Sequence, residues 1–170
     1  MLVRRETPAD QAGVAAVHTA ASSRGEGSQP AEVALVGALR DDGDMLPGLS
    51  PVAVAGDGVV GHVVCSRGWL DERPSLGLGP LGVLPAHQRS GVGLALMHAV
   101  LAAADAFEET EVFLLCDPAY YRRFGFVLAA PLGLLPQDPA WSEHFQVRPL
   151  AAWDRSARGT FWYAPAFDRL

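Results

Sequence analysis

Apolar residues along this chain change period several times, and each change marks an element. Leu2 to Arg5 reads as a short strand, after which Thr7-Pro8-Ala9-Asp10 supplies a helix start. Thr7 is the expected N-cap, Pro8 takes the first helical position, and Asp10 stands in for the capping-box Glu. That helix is expected to run to about His18. Residues 30–40 repeat Val33, Val36 or Gly37, and Leu39 at helical spacing and predict a second amphipathic helix. A hairpin follows, in which Val52-Ala-Val-Ala55 and Val59 to Cys65 flank the turn Gly56-Asp57-Gly58. Leu76 to Leu84 predicts a further strand, interrupted by Gly77, Gly79, Pro80 and Gly82. Such density weakens a central strand and suggests a bulge, or a place where a ligand or another backbone comes close. A long helix is expected over residues 94–107, with Val92, Leu96, Val100, Ala103 and Phe107 facing a sheet and His98, Asp105 and Glu109 opposite. Glu111 to Cys116 predicts a buried strand, and Asp117-Pro118 opens a short helix that Gly125 closes. A Pro-rich loop over 131–139 and strands near 145–148 and 160–163 complete the chain. The order is mixed α/β (α+β), with hairpins early and a strand–helix–strand crossover in the middle.

Composition narrows the chemistry. The 170 residues suit one domain over residues 1–170. All 13 basic residues are Arg, and the chain contains no Lys, Ile or Asn. Those three residues are written by A/T-rich codons, so the pattern points to a GC-rich bacterial gene. The missing Lys excludes a Schiff-base lysine and a Walker-A loop. A net charge of −6 offers no electrostatic footprint for nucleic acid or an anionic membrane. The first residues reach charge and Pro too early for a signal peptide, and no segment approaches the length of a membrane span. The chain therefore reads as cytoplasmic, working on small molecules, with a homodimer left open. Cys65 and Cys116 lie in apolar runs and are expected to be small buried hydrophobes. No His, Cys or Asp cluster has zinc spacing, so no metal is expected.

One segment carries chemistry. Gln88-Arg89-Ser90-Gly91-Val92-Gly93 is Gly-rich, lacks carboxylates and lies between a strand and a helix. Such a loop aims several backbone N–H groups and the positive end of a helix dipole at one spot, which suits a pyrophosphate. Leu96 occupies the place of the third Gly of a dinucleotide fingerprint, so the loop fails that test.

Leu81-Gly82-Val83-Leu84-Pro85 followed by Gln88 to Gly93, and then Asp117-Pro118-Ala-Tyr120-Tyr121-Arg122-Arg123-Phe-Gly125-Phe126, resembles the Gcn5-related N-acetyltransferase (GNAT) family. The first stretch is similar to the acetyl-CoA motif, Gln/Arg-x-x-Gly-x-Gly/Ala, and the second to the Tyr-x-x-x-Gly-Phe motif. The Asp-Pro-Ala-Tyr-Tyr variant and Gly159 to Phe167 are similar to the bacterial YhbS-type subgroup. The resemblance covers nearly the whole chain. It implies a mixed, mostly antiparallel sheet splayed between its fourth and fifth strands and flanked by helices. It also implies acetyl-CoA as acyl donor, the backbone of Leu81, Gly82 and Val83 pairing with pantetheine, and residues Gln88, Arg89, Ser90, Gly91, Val92 and Gly93 holding the pyrophosphate. Pro118 is included among the cofactor contacts.

By the same resemblance Tyr121 sits near the CoA sulfur as general acid, while Tyr120 packs. Arg122 and Arg123 would lower the Tyr121 pKa if their charges lay close. An amine acceptor is mostly protonated at neutral pH, and freeing its lone pair costs about 4–5 kcal/mol. Many relatives use a Glu on the strand before the pyrophosphate loop, but residues 76–83 contain none. Glu32, Asp71 and Glu72 are the carboxylates nearest in order to acceptor-side elements, and proton removal through ordered water stands beside them. His62 faces core or cleft and His87 lies beside the loop, while His18, His98 and His144 read as surface or structural. The activity implied is N-acetyl transfer from acetyl-CoA to a small-molecule or peptide amine. A non-catalytic acyl-CoA sensor and an unrelated nucleotide-binding domain remain as alternatives.

Overall fold

Strand β1 (Leu2–Arg5) opens the computed structural model, which describes residues 1–22 and 30–169. Thr7 and Asp10 form the predicted capping box. The Asp10 carboxylate accepts from Thr7 N at 2.8 Å and Thr7 Oγ1 at 2.7 Å, and from the two terminal nitrogens of Arg4 at 2.7 and 2.8 Å. Helix α1 (Gln11–Ser22) follows and runs past His18, since Thr19-Ala20-Ala21 contains no helix breaker. Helix α2 (Ala31–Asp41) turns Leu35, Val36 and Leu39 inward.

Strands β2 (Pro51–Ala55), β3 (Gly58–Leu70) and β4 (Arg73–Val83) form an antiparallel meander. β3 does not end at Cys65 but continues to Leu70. Its polar residues Ser66 and Arg67 hide the strand in the sequence, yet Ser66 is buried and Arg67 pairs with both carboxylate oxygens of Glu109 at 2.8 and 3.0 Å. Helix α3 (Val92–Ala106) crosses to β5 (Glu111–Leu115), and the short helix α4 (Pro118–Tyr121) leads into the last third of the chain. There β6 (Val127–Leu128), β7 (Leu134–Pro136), β8 (Phe145–Pro149) and β9 (Gly159–Trp162) complete the sheet. β7 lies inside the segment expected to be a Pro-rich loop.

The strand order is β1-β2-β3-β4-β5-β8-β6, antiparallel except for the parallel β4–β5 pair. β9 pairs antiparallel with the far end of β3 and parallel with β7. Along β3, Val63 and Cys65 join the core under α3, while Val64 joins the core under α1 and α2. A third cluster stacks Phe113, Phe145 and Phe161 with Leu70 and Leu134. On α3 the buried face is Val92, Leu96, Met97, Val100, Leu101 and Ala104. The face is thus rotated from the expected stripe, and Phe107, past the last helical turn, is 56% exposed.

Candidate active site

The parallel β4–β5 ladder lasts for only two pairs, Leu76 with Val112 and Gly77 with Phe113. The reason lies on β4. Val63 pairs with Leu81 and Cys65 with Leu78, so Gly79 and Pro80 together oppose Val64 in a β-bulge, with φ of 136° at Gly79 and a cis Gly79–Pro80 peptide. The extra residue redirects β4 away from β5. Backbone groups on the two diverging edges therefore have no partner strand among the described residues. A cavity of about 600 Å³ opens between them, lined by Ala21 and Ser22 of α1, Glu32 of α2, Leu78 to Leu81, Leu114 to Cys116, and Tyr121.

Tyr121 reaches this slot because α4 is locally well specified. The Asp117 carboxylate accepts from Ala119 N at 2.9 Å, Pro118 fills the first turn, and Gly125 ends the following turn at φ 82°. The ring packs edge-on against Tyr120 at 4.9 Å and Phe126 at 5.9 Å between centroids. Burial, reinforced by neighbouring Cys116 and Tyr120, pushes the phenol well above its ordinary pKa. Tyr121 is thus a neutral hydrogen-bond donor at physiological pH. The two arginines do not oppose this: the Arg123 guanidinium lies 4.9 Å from the Tyr120 ring centroid, and Arg122 lines a separate surface pocket. Tyr120 packs, as expected, and its hydroxyl would lie 3.1 Å from a Cβ at Gly93.

Cys65 is buried, but Cys116 is not. The expectation of a buried Cys116 fails because β5 ends at Leu115, so the thiol sits in the bend after it, on the wall of the slot. Its position just before Asp117-Pro118 was the available signal.

At the other end of β4, the Gln88 side-chain amide donates to Val83 O at 3.1 Å and Ser90 Oγ to His87 O at 2.6 Å. Arg89 at φ 58° and Gly91 at φ 91° curl the loop so that α3 begins at Val92. The first N–H groups of a helix lack intrahelical acceptors, and here they face an exposed loop free of carboxylates. Of the three candidate acceptor-side carboxylates, Glu32 reaches the slot. Asp71 and Glu72 sit in the β3–β4 turn at the opposite end of β4, where Asp71 Oδ1 accepts from Thr160 N at 3.0 Å.

Sequence reading did not foresee a buried polar chain beside the bulge. His18 Nε2 lies 2.9 Å from His62 Nδ1, His62 Nε2 lies 3.2 Å from Glu6 Oε2, and Arg40 donates to Glu6 Oε1 at 2.7 Å. Both histidines are buried, so His62 is a core residue and His18 is not a surface one. Burial, with His62 adding, brings the His18 pKa down to about 4. Burial alone would raise that of Glu6, but His62 and Arg40 outweigh it and hold the carboxylate below its ordinary value. A second cavity of about 330 Å³, lined by Leu35, Leu78, Pro80, Leu115, Trp141, Tyr163 and Phe167, adjoins the slot and carries no charged group. Among the described residues, no group of three or more His, Cys, Asp or Glu could hold a metal ion, and no helix is long and apolar enough to cross a membrane.

Comparison with known proteins gives a consistent result. The family model for the acetyltransferase (GNAT) domain matches residues 48–128. The Escherichia coli K12 protein named uncharacterized N-acetyltransferase YhbS is 35% identical over 156 residues, covering 89% of this chain and 88% of that protein. The crystal structure of Escherichia coli YhbS in complex with CoA superposes with a TM-score of 0.90 at 32% identity, covering 99% of this chain and 92% of that one. A GNAT family acetyltransferase from Brucella melitensis in complex with acetyl-CoA gives a TM-score of 0.80 at 31% identity, covering 98% and 97%.

Proposed function

Because the chain belongs to the GNAT acetyltransferase family, we propose that its single domain, residues 1–170, moves an acetyl group from acetyl-CoA to an amine in the slot between β4 and β5. The observation that carries this reading is the slot itself: a β-ladder that stops after two pairs, with Tyr121 at its end. The backbone of Leu81, Gly82 and Val83 pairs with the pantetheine in place of a strand. Gln88, Arg89, Ser90, Gly91, Val92 and Gly93 surround the pyrophosphate, held mainly by backbone N–H groups and the α3 dipole; Pro118, which lines the neighbouring surface pocket with Arg122 rather than the slot, is a further candidate contact. Acetyl-CoA is present in the cytoplasm, where we place the protein.

The reaction is a direct attack of the amine nitrogen on the thioester carbonyl. Holding both reactants in one slot supplies the orientation term. The thiolate then leaves toward Tyr121. An ordinary thiol has a pKa of about 8.5 and an ordinary Tyr about 10, and burial raises Tyr121 further. Complete transfer of its proton to sulfur is uphill, so the phenol stabilises the departing thiolate by hydrogen bonding. Glu32, at the rim of the slot, meets the ammonium form of the acceptor. The adjoining uncharged cavity suits an acceptor with an apolar body, such as an arylalkylamine, rather than one bearing a second charge.

The test combines thermal shift with thiol release over an amine panel. Acetyl-CoA should raise Tm, and apolar primary amines should release CoA thiol fastest. Stabilisation by ATP or NAD but not CoA would overturn the reading, and stabilisation without thiol release from any amine would favour a sensor instead.

A further inference from the structure

Tyr163 has no part in the steps above, yet its ring lies where the β4–β5 ladder stops. Gly77 belongs to the last pair of that ladder, and a Cβ on it would sit 2.9 Å from Tyr163 Cδ1 and 3.0 Å from Cε1. Glycine at this position makes room for the ring against the strand, just before the bulge at Gly79 and Pro80. Phe161 packs edge-on at 4.9 Å and Phe167 tilted at 4.6 Å between centroids, and Trp141 closes a third side at 6.4 Å. These contacts hold the side chain in one place and leave it 8% exposed.

The polar end of this side chain is unsatisfied. Tyr163 Oη is buried and has no hydrogen-bond partner among the described residues. A buried hydroxyl left unpaired destabilises a fold, and Phe would fill the same space without it. Six other residues carry buried polar side-chain atoms without partners, but none of them lines the slot or the cavity beside it. Burial, with Cys116 of the slot wall adding, raises the phenol pKa well above its ordinary value, so the group stays a neutral O–H donor. Around it, Leu35, Leu115, Trp141 and Phe167 give the cavity of about 330 Å³ apolar walls, and no cation lines it to meet a carboxylate. Helix α2 links this cavity to the slot. Glu32 lines the slot, and Leu35, three residues on and about 4.5 Å further along the axis, lines the cavity.

Resting on the acetyl-transfer reading, we propose that Tyr163 selects the acceptor: an amine whose apolar body carries a neutral oxygen, as ether, carbonyl or hydroxyl, at the end away from the nitrogen. Glu32 meets the ammonium end, the body passes Leu35 and Trp141, and Tyr163 Oη donates to the oxygen. An amine with that oxygen satisfies the buried donor. One without it covers the hydroxyl and leaves it unpaired, and a site built around a buried hydrogen-bonding group rejects such an analogue more strongly than a plain apolar pocket rejects a change of one methylene. A body ending in a carboxylate would give up its hydration and find no positive charge in exchange. Tyr163 touches the acceptor's body and not the reacting atoms, so it sets specificity and leaves the chemistry to the slot.

Matched amines test the assignment. 2-(4-Methoxyphenyl)ethylamine and 2-(4-ethylphenyl)ethylamine share an outline and differ by one oxygen in place of one methylene; the 3-substituted pair covers the other ring position. With saturating acetyl-CoA, wild type should favour the methoxy amine of at least one pair by about 5- to 10-fold in kcat/KM. Tyr163→Phe should remove that preference through the KM for the methoxy amine, with the rate on the ethyl amine and the KM for acetyl-CoA within about twofold of wild type. A methoxy-to-ethyl ratio that is the same in the two proteins for both pairs overturns the assignment. Titration of the four amines into the wild-type CoA complex reads the same preference as a ratio of Kd values, without turnover and without the variant, and equal affinities within both pairs overturn it as well. Thiol release without the preference sinks only the role of Tyr163. Binding with the preference but no thiol release from any amine sinks the transferase reading and keeps the selective cavity, and a protein that neither binds nor acetylates any of the four overturns both.

Discussion

His18 should make the folded protein acid-sensitive in a narrow and calculable window. Its ordinary pKa, and that in the unfolded chain, is about 6.5, against about 4 in the fold. Burial comes first among the causes and His62 second, with Glu6 opposing. Because the folded value is lower, the unfolded chain binds this proton more readily. The stability tied to a neutral His18 is therefore complete above about pH 6.5 and is lost as pH falls toward 4, by about 1.4 kcal/mol per pH unit. Between pH 6.5 and pH 5 the loss is about 2 kcal/mol. The carboxylates do not interfere, since Glu6 and Asp10 are both held below their ordinary values and lose their contribution only under about pH 4.5. Urea unfolding followed by circular dichroism at pH 7 and pH 5 reads the difference. Wild type should lose about 2 kcal/mol more than His18→Gln over this interval, whatever their relative stability at pH 7. Equal losses in the two proteins would refute the assignment of a neutral, desolvated imidazole at this position.

Three further outcomes follow from the packing and the slot. Tyr121→Phe removes one hydrogen bond to a charged sulfur, worth about 1.5–3 kcal/mol, so kcat should fall roughly 10- to 150-fold while KM for acetyl-CoA changes little; turnover within threefold of wild type would remove Tyr121 from the chemistry. In Gly68→Ala the new Cβ would enter the Phe161 ring and lie 2.9 Å from Trp162 O, so chemical denaturation should show a loss of about 1–3 kcal/mol. Titration with a disulfide reagent should find one reactive thiol in the native protein, Cys116, and two after denaturation, with acetyl-CoA slowing the native reaction; two reactive thiols in the folded state would contradict the burial of Cys65.

Most of the fold was legible wherever local chemistry and period agree. Thr7-Pro8-Asp10, Asp57-Gly58 and Asp117-Pro118 each carry their own hydrogen-bond logic, and the structure follows all three. The Gly and Pro residues of β4 announced a bulge because a ladder cannot use them. What stayed hidden depends on partners far along the chain. Ser66 and Arg67 look like loop residues until Glu109, 42 positions later, pairs with the guanidinium. β7 reads as a Pro-rich loop because its pairing partner is β9. At the site, Tyr121 and Glu32 were placed by motif and order, but His18 and His62 are 44 residues apart and nothing local links them. Asp71 was near the right strand and at the wrong end of it.

The two-pair junction between β4 and β5 has one more consequence, for handling the protein. Strand edges normally lie at the outer margins of a sheet, where charge or curvature protects them; here two open edges face each other in the middle. Such edges invite insertion of a foreign strand. In the binding mode proposed above the donor's pantetheine takes the same hydrogen-bonding positions, so acetyl-CoA would double as the cap that keeps the sheet from recruiting its neighbours.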